Sequence, residues 1–89
     1  MTFGELLRRF RRANGLKQAE LAEKCGLGAF AVHRHETDTV APDGDACAAY
    51  ATALKLEGDD LAAFHAAGKA AALKARGWTD EPKAGEVGT

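Results

Sequence analysis

The 89-residue sequence has only two cysteines, Cys25 and Cys47, which stand 22 positions apart without a CxxC pair. That spacing signals neither a zinc module nor a disulfide framework. Both fall on apolar helix faces, where a reduced thiol packs as a small hydrophobe. Aromatic residues are scarce at 7%: Phe3, Phe10, Phe30, Tyr50, Phe64 and Trp78 supply all the aromatic mass. Alanine dominates the apolar residues, so the core has to come from closely packed helices rather than bulky layers. No long apolar run occurs, so neither a secretory leader nor a membrane span is expected. Paired carboxylates, a Ser/His/Asp set and a phosphate-cradling glycine loop are also missing, and the chain is not expected to be an enzyme or to hold a cofactor.

A surplus of charge is lacking too. The net charge is −1, which at face value argues against a nucleic-acid partner, but the distribution is uneven. Residues 1–36 carry seven Lys/Arg against four acids, +3, whereas residues 37–89 carry five against nine, −4. An anion-binding half and a solvating or partner-binding half would look like this.

What is present reads as one small all-α domain. In "TFGELLRRFRRA", Thr2 and Glu5 form a reciprocal cap, and Phe3, Leu6, Leu7, Phe10 and Ala13 make an apolar stripe. Asn14 and Gly15 end that helix. A second helix is predicted from Gln18 to Cys25, broken at Gly26–Leu27, and a third from about Gly28 to Glu36. A loop over residues 37–42 follows. Asp43 caps a fourth helix with Cys47, Tyr50, Ala51 and Leu54 inward. A fifth starts near Asp59, with Leu61, Phe64, Gly68 and Ala71 inward. The domain is set at residues 1–76, and 77–89, rich in Gly, Pro and mixed charge, are expected to form a flexible tail.

The junction of the second and third helices carries the most information. Two helices that cross steeply over a short turn need small contact points. Ala22 permits the approach, Gly26 takes the turn conformation, and Leu27 and Val32 plug the corner. The set Gly15-Leu16, Gln18, Leu21-Ala22, Gly26-Leu27, Val32, Glu36, Pro42, Ala51 and Ala53-Leu54, spread over four helices, resembles the lambda-repressor-like, Cro-type (XRE-family) DNA-binding domains over about residues 3–67. The resemblance implies a five-helix bundle whose third helix enters the major groove while the second crosses the phosphate backbone. It implies a phosphate contact for Gln18, and base contacts for Ala29, Phe30, His33, Arg34 and Thr37. Double-stranded DNA is then the expected partner, bound by a homodimer in a cytoplasmic, nucleoid-associated setting.

Several residues depart from the family pattern. Lys17 replaces the usual Ser or Thr cap of the second helix, at a cost of about 1 kcal/mol, but adds a cation at a backbone-facing end. Ala29 and Phe30 stand where polar side chains usually read bases. They can touch a thymine methyl but make no bidentate hydrogen bonds, which leaves direct readout to His33 and Arg34. Phe30 is equally suited to anchoring a partner protein. His35 takes a core position and reads as a satisfied buried histidine. Because His33 and His35 are two apart, they point in opposite directions and do not form a metal site together. Arg8, Arg11 and Arg12 are placed on a face away from the apolar stripe, which is either a solvated helix face or a phosphate-binding one. Phosphate is favoured because arginine fills the sites, with Arg8 and Arg12 as the named contacts, and Arg9 can pair with Glu5. Two functions follow: a sequence-selective transcriptional regulator, or an antitoxin-like or other protein-interaction module on the same scaffold. The alanine face of the fifth helix (Ala62, Ala63, Ala66, Ala67, Ala70), with Leu73 and Trp78, offers either a dimer contact or ordinary intrachain packing.

Overall fold

The computed structural model describes residues 1–75, and these contain five helices and no strand. The helices are α1 (Phe3–Ala13), α2 (Gln18–Cys25), α3 (Ala29–Glu36), α4 (Gly44–Ala53) and α5 (Gly58–Ala75). Residues 76–89, with the expected tail and Trp78, lie outside the described residues.

Local chemistry sets the helix ends. Thr2 Oγ1 accepts from the Glu5 amide at 3.2 Å, and Glu5 Oε1 accepts from the Thr2 amide at 2.9 Å, closing the reciprocal cap. Asp43 Oδ1 accepts from the Ala46 amide at 2.7 Å and starts α4. At α2, Lys17 gives no side-chain cap, and only the half supplied by Glu20 is made, its Oε1 accepting from the Lys17 amide at 2.8 Å. Gly28 serves as the N-cap of α3, and α5 begins at Gly58, one residue before Asp59.

The largest fully buried side chains are Leu7, Leu21, Val32, Tyr50 and Phe64, one from each helix. Such a core forms only when all five elements dock together. Aromatic rings concentrate on one side of it: Phe3 and Phe64 have centroids 4.8 Å apart, and Tyr50 meets Phe64 edge-on at 6.5 Å. Two glycines set close crossings. A Cβ on Gly4 would lie 2.3 Å from the Glu36 carbonyl oxygen, and one on Gly68 would lie 2.5 Å from Cys47 Sγ. Cys25 and Cys47 are both free thiols, the first half-buried and the second buried.

Three expectations are corrected. Ala13 is exposed rather than part of the inner stripe, because α1 ends there and none of the described helices covers its last residue. Arg9 does not pair with Glu5, whose carboxylate is already held by the Thr2 amide. Arg11 does not lie on a free face. It follows Leu7 by one helical turn, and its side chain is only 12% exposed.

Candidate nucleic-acid interface

The α2–α3 corner depends on Gly26. Its φ of +69° is left-handed, and nothing lies within 4 Å of where a Cβ would stand, so conformation rather than space calls for glycine. The turn is closed by the Leu27 amide donating to the Ala22 carbonyl at 2.8 Å. Leu27 then packs against the core.

The corner presents α3 with two unlike faces. Val32, His35 and Glu36 are buried, whereas Ala29, Phe30, His33 and Arg34, with Thr37 as the C-cap, are exposed. Phe30, His33, Arg34 and Thr37 are spaced i, i+3, i+4 and i+7, so they form one outward stripe. Phe30 is 79% exposed. Thr37 Oγ1 donates back to the His33 carbonyl at 3.0 Å and lies 2.8 Å from Thr39 Oγ1, so its hydroxyl is occupied locally. The freely presented polar side chains of the stripe are therefore His33 and Arg34.

Two inward residues fasten α3 to the bundle. His35 Nδ1 is 2.5 Å from the Tyr50 hydroxyl, and its ring stands edge-on to Tyr50 and to Phe3. Burial lowers its pKa, with the Asp43 charge opposing, so the neutral imidazole is favoured. The same burial raises that of the Tyr50 hydroxyl.

Glu36 is the second fastening, and its side chain has no solvent exposure. Its Oε2 accepts from Arg11 Nε, and its Oε1 accepts from Arg11 Nη2 at 3.1 Å and from Gln18 Nε2 at 3.0 Å. Arg8 Nε lies 3.5 Å from Oε1. Burial pushes the Glu36 pKa up, but the hydrogen bonds from Arg11 and Gln18 and the charges of Arg11 and Arg8 outweigh it, and the net shift is downward. Arg11 also donates from Nη1 to the Leu16 carbonyl at 2.7 Å. One carboxylate thus gathers the basic face of α1, the start of α2 and the end of α3.

Asp38 completes the seat. Held at φ +59°, it accepts from the Thr2 hydroxyl at 2.7 Å and from the Gly4 amide at 2.9 Å. The chain leaving α3 is thereby tied to the start of α1.

The expected site residues divide accordingly. Ala29, Phe30, His33, Arg34 and Thr37 come together on the outer side of α3. Lys17 and Arg12 are exposed, each next in sequence to a member of the Glu36 cluster. Gln18 spends one amide N–H on Glu36, and Arg8 is shared between that carboxylate and solvent, its side chain 43% exposed. The sequence reading missed the roles of Glu36, Asp38 and Gly4. A signal for the first was present: Gly4, Leu7, Arg8 and Arg11 recur at helical spacing and form a second stripe on α1, directed at α3.

A two-turn helix, a left-handed glycine turn and a second helix with a buried inner and a solvent-facing outer side define a helix-turn-helix. The sequence profile of the helix-turn-helix domain family matches residues 2–64, and the chain belongs to that family. No curated protein and no solved structure matches the chain. No helix among the described residues is long and apolar enough to cross a membrane.

Proposed function

We propose that the chain is a sequence-selective, DNA-binding transcriptional regulator that lays the outer face of α3 in the major groove. The observation that carries this reading is the outward stripe Phe30, His33, Arg34 and Thr37 on the second helix of a helix-turn-helix, with exposed Lys17 and Arg12 beside the cluster that holds that helix in place. In such domains the second helix reads base edges while its neighbour crosses the backbone. Arg34 supplies a fork suited to guanine O6 and N7, and His33 supplies a donor or an acceptor. Lys17, Arg12, the outer part of Arg8 and the free amide oxygen and N–H of Gln18 face the backbone. Binding as a two-fold dimer, in the manner of the lambda-repressor-like domains that the sequence resembles, is part of the proposal. The exposed alanines of α5 (Ala62, Ala63, Ala66 and Ala70) leave room for a second copy, while Ala67 packs into the core.

Selection from random duplex DNA, followed by affinity measurements on variants, tests the reading. Arg12→Ala and Lys17→Ala are expected to weaken binding to all sequences alike. His33→Ala and Arg34→Ala are expected to relax preference at particular base pairs, each by about 1–3 kcal/mol of discrimination. Equal, sequence-blind losses from all four would remove the assigned roles.

The exposure of Phe30 supports a second reading, in which the same face binds a protein. In that case Phe30→Ala abolishes recovery of a co-purifying partner without unfolding the domain, and unchanged recovery disposes of it.

A further inference from the structure

Phe30 is the most exposed large hydrophobic side chain among the described residues. It occupies the second position of α3, in the run Gly28-Ala29-Phe30-Ala31. Four consecutive residues at the tip therefore offer no side-chain nitrogen or oxygen. Hydrogen-bonding side chains begin only one turn later, at His33 and Arg34. A hydrocarbon tip cannot take part in the donor and acceptor code of base edges. The major groove displays one hydrocarbon group, the C5-methyl of thymine, and the N-terminal residues of a recognition helix are those that reach base edges. The described residues leave the ring largely uncovered, and the core aromatic contacts involve Phe3, Phe10, His35, Tyr50 and Phe64 but not Phe30.

We infer that Phe30 is a specificity-determining residue that reads a pyrimidine C5-methyl group in the major groove. This rests on the DNA-binding reading above and deepens it. Each half-site then carries thymine opposite the helix tip, recognised by its methyl and not by its carbonyl. A 5-methylcytosine puts the same group at the same ring position, so the tip responds to cytosine methylation as well.

The test starts from a duplex selected out of a random pool, in which thymines are replaced singly by uracil. That exchange removes one methyl and leaves every hydrogen-bonding group in place. At one position in each half-site, uracil is expected to lower affinity about fourfold, the worth of one buried methyl-sized group. The penalty is expected to vanish in Phe30→Ala and to persist in Phe30→Leu. Cytosine at that position should bind more weakly than 5-methylcytosine by a similar factor. Phe30 is exposed, so circular dichroism is expected to show both variants folded. Tight binding that is indifferent to uracil at every position overturns the inference while leaving the DNA reading intact, as does an undiminished uracil penalty in Phe30→Ala. Failure of any duplex to be selected overturns both, and a protein captured through Phe30 then takes its place.

Discussion

Glu36 shows how much can depend on one side chain. A carboxylate with no exposure, held by Arg11, Gln18 and Arg8, is stable only as a complete set. Arg11→Ala leaves the charge buried with weaker partners and is expected to cost about 3 kcal/mol, measured by urea unfolding at neutral pH. A loss below about 1 kcal/mol would show that solvent compensates the carboxylate. The signs of the pH effects follow from the shifts. Glu36 has a lowered folded pKa, so its contribution is complete above the usual carboxylate range and is lost as the pH falls through the depressed value. His35 is also lowered, so the folded state binds its proton less readily than the unfolded chain. Its contribution is complete above about pH 6.5 and declines as the pH drops below that. Between pH 7 and pH 5 the wild-type urea midpoint is expected to fall more than that of His35→Gln; equal slopes would refute the assignment. Gly4→Ala drives a methyl into the Glu36 backbone and is expected to cost about 2 kcal/mol in the same assay. Of these roles only the buried, satisfied His35 was visible at the outset; those of Glu36, Arg11 and Gly4 were not. Charged side chains are ordinarily solvated, so a helical repeat that includes arginines reads as a surface unless its buried partner is known.

The elements themselves were far more legible. Caps, glycine stops and apolar periodicity are local signals, and they located all five helices to within a residue or so. The Thr2–Glu5 and Asp43 caps were read from residue type alone. Even the weak start of α2 was anticipated, because lysine cannot accept a hydrogen bond from a helix amide. Lys17→Ser is therefore expected to stabilise the domain by about 1 kcal/mol while weakening DNA binding uniformly, since it restores a cap and removes a cation. Thermal unfolding and duplex titration on one sample separate the two effects. Gain in both, or loss in both, would contradict the division of labour assigned to that position. The outer stripe of α3 was likewise legible, because Val32 fixed which side turns inward. Less legible was how each outer group is occupied, since the Thr37 hydroxyl and the Gln18 amide are engaged by partners that only the fold supplies.

For the molecule as a whole, the uneven charge matters more than the net value. The positive excess lies in the first 36 residues, the portion that includes α1, α2 and α3. Part of it is internal, because Glu36 neutralises Arg11 and draws on Arg8. Arg9, Arg12, Lys17, Lys24 and Arg34 remain exposed. Their attraction to a polyanion is sequence-independent and screened by salt. The central claim is that this side of the molecule binds duplex DNA through phosphates while α3 reads the groove. The affinity of the intact chain for a selected duplex, measured at about 50 to 200 mM salt, tests that claim most directly. With about four phosphate contacts, roughly a hundredfold loss across that range is expected. A flat profile, or no duplex binding at the lowest salt, would contradict it.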